Sequence, residues 1–164
     1  MTAQTGTRRG LAAGSSLFLA TLLLAVAACH PAGEITAGKR IEVRWEERQL
    51  LLVGDARTGS ARVFHMRAAP LLIGEMRAPG RTAVRDIRID AARQRVWILG
   101  EAAVYVHDAR TWSLIRRIPA PAAAADRLEL AADGGPLLLG DDGRRLARIE
   151  PTHFTVEAVR LAGN

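Results

Sequence analysis

An all-β fold of three four-stranded antiparallel units is what the sequence predicts beyond residue 40, and three observations predict it. First, the chain repeats. Ile41-Glu42-Val43 to Leu51-Leu52-Val53-Gly54-Asp55 aligns without a gap on Ile87-Arg88-Ile89 to Trp97-Ile98-Leu99-Gly100-Glu101, at an offset of 46, and again, one residue shorter at the turn, on Leu128-Glu129-Leu130 to Leu137-Leu138-Leu139-Gly140-Asp141. Repeats of this length define an architecture before any single element does. Second, each copy places an alternating strand before a polar turn and an apolar strand after it, which is strand rather than helix periodicity. Third, the breaks between strands are rich in Gly, Asp and Pro, as at 132–136 and 141–143, and those residues supply the backbone angles that turns need.

The first strand of each unit alternates most clearly at Leu128 and Leu130. The second strand is apolar on both faces in every copy, the pattern of a strand covered from both sides. The second half of the unit repeats too: Phe64-His65-Met66, Val106-His107-Asp108 and Arg148-Ile149-Glu150 recur at an offset of 42, followed by Leu72-Ile73, Leu114-Ile115 and Val156-Glu157. The first copy holds extra residues at the loop Arg57-Thr58-Gly59-Ser60. In the second unit the strands fall at 84–90, 95–100, 103–108 and 113–118.

Four antiparallel strands recurring every 40–46 residues is the pattern of a β-propeller blade. The blades are expected at about 41–78, 84–119 and 126–161, within a repeat domain 41–162. Three blades are fewer than the four to eight of a closed propeller, so the sequence predicts a partial propeller whose end blades invite a protein partner or a second copy. A β-sandwich or barrel of the same twelve strands is the alternative. Val104-Tyr105-Val106-His107-Asp108, continuing to Leu114-Ile115-Arg116-Arg117-Ile118-Pro119, resembles repeats of the YVTN type of propeller. The match is weaker in the third unit and poor in the first, where Met66 replaces the turn acid. That resemblance implies architecture and no particular activity.

The N-terminus carries an address. Arg8 and Arg9 precede an apolar run from Leu11 to Ala27, and small residues lead to the chain's single cysteine in Val26-Ala27-Ala28-Cys29. This is the basic, apolar and small-residue order of an export signal. The run resembles the lipobox of bacterial lipoproteins, which implies a signal helix removed as residues 1–28, lipidation of Cys29, and a tether over 29–40. His30, rather than an acid, follows the cysteine; the resemblance then implies the periplasmic face of the outer membrane. Several acyl chains on one residue would anchor it stably. An uncleaved membrane-spanning helix, interrupted at Gly14-Ser15-Ser16, and a plain secretory cleavage site are the other readings of the segment.

Composition narrows the function classes. The net charge of +6 falls to about +4 once Arg8 and Arg9 are removed, and the charges are interspersed, which does not describe a nucleic-acid-binding patch. One cysteine permits no intrachain disulfide, so the fold rests on its apolar core. No Gly-x-Ser-x-Gly, phosphate loop, His-Glu-x-x-His or haem-attachment motif occurs, so the chain is expected to be neither an enzyme nor a cofactor carrier. His65 and His107, at matching places in two units, are the weak candidates for a metal pair, with Asp108 and Glu150 nearest by repeat logic. Zinc wants further ligands, and His107 and Asp108, adjacent on a strand, point to opposite faces. The expected function is that of a lipid-anchored scaffold or accessory subunit of an envelope complex; a small-ligand or metal-binding module is the alternative.

Overall fold

The computed structural model describes residues 40–78, 83–120 and 125–158. The predicted signal helix, Cys29 and the tether up to residue 39 lie outside the described residues. Twelve strands form three four-stranded antiparallel sheets, each with its strands in chain order. The first blade is β1 (Ile41–Trp45), β2 (Leu50–Gly54), β3 (Ser60–Met66) and β4 (Pro70–Arg77). The second is β5 (Asp86–Asp90), β6 (Arg95–Leu99), β7 (Ala103–Asp108) and β8 (Leu114–Pro119). The third is β9 (Arg127–Leu130), β10 (Pro136–Leu139), β11 (Arg145–Ile149) and β12 (Val156–Ala158). Across blades, β5 lies against both β1 and β9. The first strands therefore form the hub and the fourth strands the rim. The all-β, propeller-like reading stands, with no closed barrel or two-sheet sandwich among the described residues.

The hairpins are set by left-handed residues at matching places. Gln49 (φ 53°), Gln94 (φ 52°) and Gly134 (φ 77°) close the turn between first and second strands. Their amides donate to Glu46 O, Ala91 O and Ala131 O at 3.0, 3.3 and 2.8 Å. Trp112 (φ 62°) and Phe154 (φ 61°) close the turn between third and fourth strands in blades two and three. There Asp108 and Glu150 accept from the amides of the turn: Arg110 and Thr111 each donate to Asp108 Oδ1 at 2.8 Å, and Thr152 donates to Glu150 at 2.8 Å. In the first blade the strand register puts His65, not Met66, in the place of Asp108, and its ring offers no carboxylate to the turn. An acid that caps its own turn holds the chain in the bend.

These turns correct the repeat alignment. Gln49 and Gln94 stand 45 residues apart, and so do the paired residues Ile41–Gly54 and Asp86–Leu99. Gly54 therefore occupies the place of Leu99, not of Gly100 as the gapless alignment has it. A slip of one residue exchanges the two faces of a strand. Leu50, Leu52, Ala61 and Val63 of the first blade face the second, as Trp97, Leu99, Val104 and Val106 of the second face the third.

Two apolar seams result. One packs Trp45, Leu52, Val63 and Met76 against Ile87, Val96, Ile98 and Tyr105. The other packs Trp97, Leu99, Val104, Val106 and Ile118 against Leu128, Leu138, Ala147 and Ile149. Each large aliphatic side chain removed from water in this way contributes about 1.5–3 kcal/mol. Among the described residues only the middle sheet has another blade on both faces, and its two central strands are enclosed: Val96, Trp97, Ile98 and Leu99 of β6 and Ala103, Val104, Tyr105 and Val106 of β7 are all inaccessible.

Polar and aromatic groups pin the seams. Arg48 donates to Ala109 O at 2.9 Å, and Arg95 donates to Pro151 O. Each thereby ties the first hairpin of one blade to the outer turn of the next. Trp112 lies on Gly74 of the first blade, and Phe154 meets Trp97 edge to face at 6.0 Å. Trp45, Trp97 and Trp112 all pack between blades.

Candidate functional site

At the hub, the seam between blades two and three is held by a polar fork. Asp86 Oδ2 accepts the Leu128 amide proton at 2.7 Å, and Arg88 Nε donates to Leu128 O at 2.7 Å. Arg88 Nη1 and Asp86 Oδ1 are paired at 2.8 Å, and the Ile87 amide donates to the same oxygen at 2.8 Å. Burial pushes the Asp86 carboxyl above the usual carboxylate range, against the pull of the Leu128 amide, Arg88 and the Ile87 amide. The fork does for β9 what a neighbouring strand would do, satisfying both main-chain groups of one residue. Ile41 and Val43 hold the corresponding places in blade one, where the seam is apolar. The offset of 46 hid this equivalence by matching Glu42 to Arg88.

Beside the fork lies a cleft of about 520 Å³ lined by Ile41, Val84, Arg85, Asp126, Arg127 and Asp141, among others. Its walls are the starts of the hub strands and the loops that follow the second strands. Arg85 donates to Ala125 O at 3.0 Å and lies 3.4 Å from Asp126 Oδ1. Two guanidiniums and two carboxylates balance in charge. The arrangement suits hydrogen bonding to a polar ligand, and it contains no imidazole or thiol. Sequence reasoning missed this cleft because its residues come from five separate loops and strand ends, none of which carries a motif.

The predicted histidines sit elsewhere. His65 is on β3 and His107 on β7, the third strands, two strands out from the hub. They do not converge on the axis, because only the first strands meet there. Nor are they equivalent: His65 pairs with Leu50 and Asp108 with Arg95, which matches His65 to Asp108. His107 is 1% exposed, and its Nδ1 lies 3.1 Å from Trp112 O. Burial holds its pKa below the usual imidazole value, with the Trp112 carbonyl opposing. The ring is thus neutral and its Nδ1–H donates to the carbonyl. His107 Nε2 and His65 Nδ1 are enclosed and meet no partner among the described residues. Among those residues no three His, Cys, Asp or Glu side chains are grouped as a metal would require. Asp108 and Glu150 are occupied by their own turns. Their amide hydrogen bonds hold Asp108 below the usual range, and Glu150 at about 2.

Among the described residues the two end sheets each present one face to no other blade. On the first blade, alternation places Glu42, Arg44, Leu51, Val53, Arg62 and Phe64 there. On the third it places Arg127, Glu129, Leu137, Leu139 and Arg148 there. The rim adds exposed apolar side chains, Leu71, Leu72 and Ile73 on β4 and Leu114 and Ile115 on β8.

No protein-family model and no curated protein matches the chain. Among solved structures it is similar to the crystal structure of a putative 6-phosphogluconolactonase from Bacteroides uniformis, with 14% identity and a TM-score of 0.55. The match covers 72% of this chain and 39% of that one. This places the repeat domain in the β-propeller class of fold. The likeness is one of backbone, and the chain spans well under half of the structure that it matches.

Proposed function

We propose that the protein is a lipid-anchored interaction module, a scaffold or accessory subunit of a complex in the bacterial cell envelope. The observation that carries this reading is the pair of end sheets, each with a face that no other blade among the described residues covers and that carries exposed charges, Glu42 and Arg44 on the first and Arg127 and Glu129 on the third. Propeller blades gain their stability by stacking, and the middle sheet shows what a covered blade looks like here. The order of basic, apolar and small residues leading to Cys29 supports attachment at a membrane through lipid. A tether over 29–40 reaches at most about 3.3–3.6 Å per residue, so the partner belongs to the same envelope surface, with the periplasmic face of the outer membrane as the inferred site.

The test is crosslinking in intact cells, with membrane fractionation of the wild type and of Cys29→Ala. Wild type is expected in the membrane fraction with a crosslinked protein partner or copy, and Cys29→Ala in the soluble fraction. A chain that crosslinks to nothing overturns the interaction reading, and Cys29→Ala that stays in the membrane overturns the lipid anchor. A second reading, a small-ligand module, is favoured by the hub cleft. Thermal shift across polar ligands, abolished by Arg85→Ala with Asp126→Ala, would support it. The structural neighbour is named as a putative 6-phosphogluconolactonase; hydrolysis of a sugar-phosphate lactone by the purified protein would replace either binding role with catalysis.

A further inference from the structure

We infer that the two uncovered blade faces are halves of one seam, and that a second copy of this chain completes it, giving a two-fold ring of six blades. The inference rests on the interaction reading above and names the partner.

The two seams already present follow one rule. The first and third residues of one hub strand face an alternate pair on the next: Ile41 and Val43 face Ile87 and Ile89, and Asp86 and Arg88 face Leu128 and Leu130. The next terms are Arg127 and Glu129, on the uncovered face of blade three. The pair that such residues would meet is Glu42 and Arg44, on the uncovered face of blade one. An Arg-x-Glu strand thus faces a Glu-x-Arg strand in the same register, so that Arg127 meets Glu42 and Glu129 meets Arg44. All four are exposed. Among the described residues Arg44, Arg127 and Glu129 have no ion-pair partner, and Glu42 pairs only with its neighbour Arg40, at 3.0 Å. Had either pair been reversed, like charges would oppose one another.

The apolar centre follows the same rule. Half-buried Leu51 and Val53 occupy the places of Val96 and Ile98, and Leu137 and Leu139, already buried within the chain behind the charged pair, occupy those of Trp97 and Leu99. The three blades among the described residues are fewer than the four to eight of a closed propeller. Two sets of three make six. A head-to-tail pair that closes forms two identical seams and leaves no face open, the condition for a finite oligomer rather than a fibre.

The experiment is sedimentation of the full chain, solubilised from membranes in detergent, with three charge-exchanged variants. These are Glu42→Arg with Arg44→Glu, Arg127→Glu with Glu129→Arg, and all four together. The expected result is a dimer for the wild type, loss of the dimer in each double variant, and its return in the fourfold variant. A wild-type monomer overturns the inference, whatever the variants do. A dimer that both double variants leave intact overturns it too, because the contact then lies elsewhere. A monomer that holds a different polypeptide on these faces overturns the second copy and leaves the interaction reading standing. Circular dichroism identifies a double variant that has merely unfolded. In that case rescue by the fourfold exchange decides, since restored folding and dimerisation support the seam and continued monomer with native strand signal overturns it.

Discussion

The carboxylate of Asp86 accepts the amide proton of Leu128 across a blade boundary at 2.7 Å, while Arg88, two residues along the same strand, donates to the Leu128 carbonyl. Removing the acid strands a main-chain donor and a guanidinium together. Asp86→Ala is expected to cost about 2 kcal/mol, the scale of a buried donor left unsatisfied. Urea unfolding measures it, and Arg88→Met should cost less on top of Asp86→Ala than it does alone, because the two act as one unit.

The same carboxyl makes a prediction for pH. Burial raises its folded-state pKa above the ordinary 3.8, so between that value and the raised one the folded protein holds the proton more tightly than the unfolded chain. This contribution to stability is fully present below the ordinary value and is lost as pH rises through the folded one. Asp86→Asn should remove that slope; an unchanged pH profile of unfolding in the variant counts against the assignment.

Glu150 has the opposite sign. Its carboxyl, held by the His153 and Thr152 amides, sits at about 2 rather than 4.5. Its stabilising effect is complete above the ordinary value and disappears as pH falls through the folded one. Glu150→Gln should therefore lose less stability than wild type between about pH 5 and pH 2, in the same unfolding assay.

A Cβ on Gly74 would run into the Trp112 ring. The ring is held by its left-handed backbone and by the fit between blades one and two, so it cannot easily retreat. Gly74→Ala is expected to destabilise by about 1–3 kcal/mol, the usual cost of overpacking, with the tryptophan emission moving to the red. Unshifted emission and unchanged stability would mean that the ring is not clamped there.

In the core of the first seam, Ile98 is inaccessible and lies among Val96, Tyr105 and Leu52. Ile98→Ala should cost about 2–5 kcal/mol in urea unfolding, and Ile98→Val much less. Leu71→Ala on the exposed rim should cost little in the same assay.

Much of the architecture was legible without coordinates. The strands predicted for the second unit at 95–100 and 103–108 are found at Arg95–Leu99 and Ala103–Asp108, because period-two alternation and Asp-, Gly- and Pro-rich turns are local signals. The face of each strand was harder to read. Gly54 and Gly100 aligned by identity, yet the left-handed Gln49 and Gln94 set the count one residue shorter. An apolar run such as Leu50-Leu51-Leu52-Val53 carries no alternation with which to detect the slip.

The sequence by itself determined the class of fold, the number of blades among the described residues and the place of the turns, since each follows from chemistry a few residues long. It also marked Cys29 as the expected point of attachment. Tertiary structure decided what meets what: that Asp86 and Arg88 grip Leu128, that Trp112 lies on Gly74, that His65 and His107 stand away from the hub, and that a cleft opens among Val84, Arg85, Asp126 and Asp141. These depend on the packing of one sheet on another, where residues some 40 positions apart come together. No local pattern encodes that distance; it emerges only when burial of the strand faces selects one register for each blade.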